Sequence, residues 1–486
     1  MTTLKNLEPA IVWQYFEEIC KVPRPSTKED KIIKYLIEFA EKNKFEYAKD
    51  DAGNIIIRKP ATKGMEKSKP VVLQSHMDMV CEKNSDVKFD FDNDPIQAVV
   101  DNGWVRANGT TLGADDGIGM AAQMAILVSE EVKHGPLECL FTVDEESGLT
   151  GAFELKPGFI HGNVLLNLDS EDEGELFIGC AGGIDTVAKL KYKHRFTPSK
   201  SQAFKVNVKG LKGGHSGDDI DKMRGNSNKI LNRFLWNAEK HFKIRLSVFD
   251  GGNLRNAIPR EAFAIFTVPA KKVEGLKTYF DEFANEIKQE WATSEPELSL
   301  SIEQTEMPQK VINRKAQTML LNSLYACPHG VIAMSQAIPG LVETSTNLAS
   351  VKFDGKKEIS ITTSQRSSVD SAKFDIAHMV ESVFKIAGCK VEHSTGYPGW
   401  APNTDSEILK ITRDSYKRLF NTEPKVRAIH AGLECGLFLE KYPKMDMVSF
   451  GPTLRGVHSP EEKIDIETVK KFWLLLLDVL ANIPKN

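Results

Sequence analysis

The sequence predicts an α/β protein, a mostly parallel sheet with flanking helices, interrupted by an inserted α+β domain. Three observations carry this reading. Short apolar strands alternate with helical stretches over the first third of the chain. The texture changes near Gly182, where charged and apolar residues alternate in TVAKLKYKHRF and AFKVNVKGL. From residue 406 onward, amphipathic helical periodicity returns together with one short apolar strand.

Each element follows from its own pattern. A first helix is expected over residues 8–20, where apolar residues recur at helical spacing. The Pro-rich turn VPRPSTKED follows, and Ser26 with Glu29 reads as a capping box before IIKYLIEFAEKN. Strands are expected at 54–58, 71–74, 138–143 and 164–168, with a helix at 118–129 behind a Gly-rich loop. The apolar strand at 71–74 is of the kind buried inside a parallel sheet, and strand–helix alternation argues for that sheet. In the insertion, alternation predicts strands with one face in water, hence an antiparallel sheet. Strands at 299–304 and 358–363 and a helix at 316–327 extend the pattern, which suggests two related α+β halves. The last stretch carries long amphipathic helices and a strand at 447–450 and rejoins the first domain. The expected organisation is a catalytic domain over 1–183 and 397–486, with a lid domain over 184–396; exposed loops tolerate such insertions.

Composition narrows the function. A chain of 486 residues exceeds one typical core and favours two domains. With 41% hydrophobic and 27% charged residues it reads as a soluble globular protein. A net charge of −4 gives no basic stripe for nucleic acid. The longest apolar stretches, such as residues 472–480, are too short to span a bilayer, and the N-terminal residues show no secretory pattern. Seven scattered cysteines without a C-x-x-C pair fit thiols in a reducing compartment, so the expected location is cytoplasmic.

The chemistry lies at the strand ends. In an open α/β sheet, ligands bind beyond the carboxyl ends of the strands. The strand VVLQ runs into SHMDMV, where His76 and Asp78 are two apart and face the same way on an extended backbone. His76 can ligate a metal through one ring nitrogen while Asp78 fixes its tautomer through the other. In NGTTLGADDGIGMA, Asp115 and Asp116 sit among glycines before a helix; helix capping is the plain alternative, but a carboxylate there can also bridge two cations. LECLFTV ends in Glu145 and Glu146, where one acid can bind metal and its neighbour can hold a proton near neutral pH. VLLNL ends in Asp169, and MVSFGP leads to His458 in a loop before a helix beginning near residue 464. Each signal is weak alone. Together they give nitrogen and oxygen donors in the number a dinuclear site requires.

These phrases, with GLKGGHSG and GGNLRNAIP, resemble the dinuclear-zinc exopeptidases related to carboxypeptidase G, peptidase T and the aminoacylases, and among them the aminoacyl-histidine dipeptidases. The resemblance runs over essentially the whole chain. It implies the zinc-exopeptidase fold and two zinc ions per chain, with cobalt or manganese suited to the same donors. It implies that Asp115 bridges the metals, that His76 and Asp169 complete one site, and that Glu146 and His458 complete the other. Asp78 orients His76, Glu145 is the general base, and Asp116, after a cis peptide bond, sets shape. In the lid, His215 polarises the scissile carbonyl or steadies the oxyanion, Asn256 lies near the substrate, and Arg366 binds the substrate's terminal carboxylate. The loop HAGLECG brings His430 and Glu434 to the cleft, with Glu434 expected to read the substrate's free amine. The implied activity is hydrolysis of unblocked dipeptides with broad specificity, Xaa-His included, by a homodimer whose lid closes during turnover.

Other readings differ in what they need. A deacylase or carboxypeptidase acting on N-acyl amino acids would use the same metals with a different lid pocket. A binding-only relative would not need Glu145. A thiol hydrolase lacks a recognisable nucleophile motif, and Cys81 and Cys180 read as packed residues near the site.

Overall fold

The computed structural model describes residues 4–355 and 357–485. The chain forms two compact units. The first comprises Met1–Gly179, Pro402–Ala428 and Leu433–Asn486; the second comprises Cys180–Ala401 and Ile429–Gly432.

The first unit is built on an eight-stranded sheet in the order Glu46–Lys49, Ile55–Lys59, Leu137–Thr142, Val71–His76, Val164–Asn167, Asp446–Ser449, Glu175–Cys180, Lys425–Ile429. Its middle is parallel: Val71–His76 pairs in parallel with both Leu137–Thr142 and Val164–Asn167, and Asp446–Ser449 pairs in parallel with Val164–Asn167. Every residue of Val71–His76, Leu137–Thr142 and Val164–Asn167 is buried, as central strands of a sheet covered on both faces must be. Burial of each such Val or Leu contributes about 1.5–3 kcal/mol. The four parallel strands share one carboxyl edge, so His76, Thr142, Asn167 and Ser449 end side by side.

Helices cover this sheet. Ala114–Val128 buries nearly its whole length, and its small residues allow close packing on Val71–His76 and on Ala10–Ile19. Gly113, at φ +68°, turns the chain into this helix, and Asp115 and Asp116 depart from helical angles, so regular helix begins beyond them. Glu407–Phe420 is capped by the Ser406 side chain, which accepts from Leu409 N at 3.0 Å. Ile466–Ala481 is capped by Asp465 and buries Val469, Phe472, Leu476, Val479 and Leu480 along one face. A small antiparallel sheet, Leu454–Arg455, Lys463–Asp465, Trp104–Ala107 and Ala98–Asp101, holds the loop that carries His458.

One local expectation fails. Ser26 and Glu29 form no capping box, and the helix runs Asp30–Lys42 without a side-chain cap. Ser26 Oγ reaches Met79 O instead, at 3.5 Å, and Glu29 accepts from Thr27 N and Asp144 N. Neighbouring loops at the strand ends have taken both residues.

The second unit carries a sheet in the order Ser299–Gln304, Ser201–Lys209, Ala262–Pro269, Arg245–Gly251, Val342–Phe353, Glu358–Ser367, Gly182–Lys191, Lys390–His393, with Gly330–Met334 on Val342–Phe353. The pairings are antiparallel, and burial alternates along Gly182–Lys191 and Ala262–Pro269. Among the described residues, Arg245–Gly251 pairs in register with Val342–Phe353 only through Gly251 and Val351, which divides the sheet into two halves. Helices Ser227–Phe242, Val273–Glu290 and Arg314–Ala326 supply apolar side chains to the unit's core. No described helix is long and apolar enough to cross a membrane.

Candidate metal centre

The shared carboxyl edge gathers seven of the expected residues. His76 closes its strand with a side chain only 1% exposed. Its Nε2 lies 3.0 Å from Asp115 Oδ1 and 3.4 Å from Asp169 Oδ1. His458 Nε2 lies 3.3 Å from the other oxygen of Asp115, Oδ2, and 2.9 Å from Glu146 Oε2. Asp115 is therefore shared by two triads, one through each oxygen. In each, the donor atoms of His76, Asp115 and Asp169, or of Asp115, Glu146 and His458, lie within 4.8 Å of one another. Glu145 falls into a third such group with His76 and Glu146.

Local backbone explains how the side chains converge. Asp115 and Asp116 are joined by a cis peptide bond. Asp116 turns inward, where Oδ1 accepts from Gly119 N at 3.1 Å, and a side chain on Gly119 would collide with that carboxylate. His458 sits at φ +63°, a conformation that non-glycine residues seldom adopt without a constraint. Glu145 and Glu146 open a one-turn helix after Asp144, itself at φ +50°. Their backbone N–H groups donate to Asp78 Oδ1 at 3.1 Å and Oδ2 at 3.2 Å.

The electrostatics suit cations. Burial opposes ionisation of Asp115, but hydrogen bonds from His458 and His76 outweigh it and hold the carboxyl well below its usual range. Burial, reinforced by Asp169, pushes Asp116 well above that range. Burial likewise raises Glu145, with Asp169 and Glu434 adding to it, and lifts Asp169 to about 7. Such carboxyls ionise readily only beside positive charge. Glu146 Oε1 is buried with no protein partner. Two imidazoles and two carboxylates around one shared acid, Asp115, fit a pair of divalent cations with nitrogen and oxygen donors.

Glu434 also belongs to the first unit and is fully buried. Its Oε2 accepts from Gln74 Nε2 at 2.6 Å and Thr142 Oγ1 at 2.9 Å, and burial lifts it to about 8. His430, four residues earlier, belongs to the second unit.

The second unit has a polar cluster of its own. Arg366, 7% exposed, donates from Nη1 to Tyr397 Oη at 3.0 Å and from Nε to Ser216 Oγ at 3.4 Å; Nη2 lies 3.4 Å from His215 Nε2. His215 Nδ1 stands 3.2 Å from Asp218 Oδ2. His215 pairs with Ala257 across a two-residue ladder, and Asn256 O accepts from Ser216 N at 2.8 Å, which ties the two loops together. The Asn256 side chain is exposed. His430 Nε2 lies 2.7 Å from Ser345 Oγ, and burial, with Arg366 contributing, lowers His430 to about 4.

Sequence reading missed Tyr397, Arg24 and Glu462. Tyr397 has a signature in retrospect. A Cβ on Gly183 would stand 2.6 Å from its ring, and one on Gly432 2.9 Å away, so both glycines leave room for it. Arg24 and Glu462 bond only to backbone atoms, which sequence does not reveal.

Comparison with known proteins agrees with this architecture. Residues 72–482 match the sequence model of peptidase family M20/M25/M40. The cytosol non-specific dipeptidase of Escherichia coli (strain K12) is 46% identical over 485 residues, covering 100% of both chains. The crystal structure of an aminoacylhistidine dipeptidase from Vibrio alginolyticus is 45% identical, with a TM-score of 0.93 over 100% of this chain and 99% of that one. The aminopeptidase PepT of Bacillus cereus shares the fold alone, at 16% identity and a TM-score of 0.59, over 98% of this chain and 99% of that one.

Proposed function

This chain belongs to peptidase family M20/M25/M40, and on that premise we propose that it is a dinuclear-metal dipeptidase that hydrolyses unblocked dipeptides with broad specificity, Xaa-His included. The observation that carries the reading is Asp115, whose two oxygens face separate His–carboxylate pairs. His76 and Asp169 would hold one ion, Glu146 and His458 the other, with Asp115 between them. Two divalent cations so held supply Lewis acidity and lower the pKa of an attacking water. Zinc suits the donors, and cobalt or manganese could replace it.

Glu145 is assigned as general base. Burial raises its pKa above the usual carboxylate range, and a carboxylate so placed would take the proton of the attacking water and return it to the leaving amine. Asp78 supports Glu145 through the amide of that residue. From the second unit we assign Arg366 to the substrate's carboxylate: it is a buried guanidinium whose hydrogen-bond partners are Ser216, Tyr397 and His215. His215 is assigned as donor to the scissile carbonyl oxygen, and Asn256 and His430 as neighbours of the substrate. The amine-reading role expected of Glu434 finds no support in its full burial; we assign it to holding Gln74 and Thr142 beneath the centre. The family resemblance supports a homodimer, and the buried thiols Cys20, Cys139, Cys327 and Cys389 support a cytoplasmic location.

The test is metal-dependent release of free amino acids from dipeptides by chelator-stripped protein. Restoration by two zinc ions per chain supports the proposal. Cleavage of N-acyl amino acids but not of free dipeptides would replace it with a deacylase.

A further inference from the structure

Asp115 must keep both oxygens correctly aimed, yet its own segment, Gly113 to Gly117, has little side chain with which to anchor itself. Its backbone is held from outside. Glu462, 2% exposed, accepts four successive amides: Oε2 takes Leu112 N at 2.7 Å and Gly113 N at 2.9 Å, and Oε1 takes Ala114 N at 2.8 Å and Asp115 N at 3.3 Å. Arg24, 3% exposed, approaches the same segment through a carbonyl. Its Nη2 donates to Gly113 O, while Nη1 donates to Met77 O at 3.1 Å and to Asp78 O. The backbone of Arg24 joins in, its carbonyl accepting from Met79 N at 3.1 Å.

We propose that Arg24 and Glu462 are positioning residues that act as one clamp: a buried cation on the carbonyl of Gly113 and a buried anion on its amide side fix Asp115 between the two triads. The proposal rests on the dinuclear reading given above. Several features converge on it. Both groups are charged and buried, and a buried charge is tolerated when charge-assisted hydrogen bonds replace its hydration. The two charges compensate each other across the Gly113 peptide. The clamp also links three separate ligand loops, since Arg24 joins 77–78 to 113, and Glu462 joins the His458 loop to 112–115. Gly113 and Gly117 are shaped to it, because a Cβ on either would stand 2.6 Å from Arg24 Nη2. Placement of a reactive constellation tolerates about 0.5 Å, and only a rigid support achieves that.

The experiment is calorimetric titration of zinc into the chelator-stripped full chain, for the unaltered protein, Glu462→Gln, Arg24→Met and the double variant, with the melting temperature of each metal-free protein alongside. Glu462→Gln turns an amide N–H toward backbone donors, and Arg24→Met removes the cation at similar volume. We expect two ions in the unaltered protein, and at least tenfold weaker binding of one ion in each single variant. The double variant should be little worse than the weaker single, because each releases the same peptide. The visible spectrum of the cobalt-loaded variants should change, as a displaced carboxylate alters ligand geometry. Metal constants within twofold of the original, with only the metal-free melting temperature lowered, would overturn the clamp and leave ordinary structural residues. Fewer than two ions in the unaltered protein would overturn the dinuclear reading itself, and the clamp with it. If Glu462→Gln fails to fold, Glu462→Asp, which keeps the charge but shortens the reach, should show the same loss in smaller degree; unchanged constants there would count against the proposal.

Discussion

Asp78 stands 3.3 Å from His76 Nδ1, yet its two oxygens receive their hydrogen bonds from the amides of Glu145 and Glu146. His76 Nδ1 itself has no hydrogen bond of good geometry. One carboxylate thus faces a metal-type histidine and carries the loop of the assigned base. Asp78→Ala should weaken metal binding about 10–100-fold, the usual loss of an outer partner of a ligating histidine. It should also lower kcat at saturating metal, because Glu145 loses its support. A normal kcat for the metal-saturated variant would confine Asp78 to His76.

Glu145 and His76 should separate cleanly. Glu145→Ala is expected to bind two ions per chain and to lose about 10²–10⁴-fold in kcat, the range for a general base. His76→Ala should lose metal. Elemental analysis of the dialysed proteins beside initial rates decides the matter, and loss of metal in the Glu145 variant would exchange the two roles.

Arg366 gives a prediction about substrate ends. Arg366→Ala should lower kcat/KM for free dipeptides about 100-fold, since a charge-assisted bond is worth roughly 1.5–3 kcal/mol or more when buried. Dipeptide amides, which lack the carboxylate, should be cleaved poorly by both proteins and show little difference between them.

Gly183→Ala tests Tyr397. The added methyl would stand 2.6 Å from the ring and must displace it from Arg366. The expected result is a higher KM with both metal constants unchanged. An unchanged KM would mean that Tyr397 does not brace Arg366.

His430 makes stability depend on pH. Folding holds it near 4, whereas an unfolded histidine titrates near 6.5. The unfolded chain therefore takes up the proton first, so this contribution is fully present above about 6.5 and is lost as pH falls toward about 4. The interval corresponds to about 3 kcal/mol. His430→Gln should be less stable than the original at pH 7.5, and the difference in melting temperature should narrow by pH 5. A constant difference would show that His430 is not held neutral by the fold.

How legible all this was depends on which atoms do the work. His76, Glu146 and Asp169 stood out because polar side chains at strand ends interrupt apolar runs, and a parallel sheet lines such ends up; Asp115 stood out among glycines before a helix, and His458 in the loop after an apolar strand. Ser26 and Glu29 misled because their spacing fits a cap, while tertiary partners, Met79 and Asp144, outcompete a cap worth about 1 kcal/mol. Arg24 and Glu462 were invisible: their partners are carbonyls and amides, which every residue has. Arg24 further lay in a Pro-flanked segment that reads as a turn. Glu434 was noticed as a titratable group, but its depth was not, since burial depends on Gln74 and Thr142 from distant strands.

The order of the donors along the chain has a consequence for biosynthesis. His458 is separated by 343 residues from Asp115, which it must face, and the strand Asp446–Ser449 enters the sheet after the whole second unit has been made. A ribosome-bound fragment that has already folded its antiparallel sheet still lacks one triad. Competence for peptide hydrolysis should appear abruptly when the final helix-bearing stretch emerges, so truncated translation products would be silent rather than partly active.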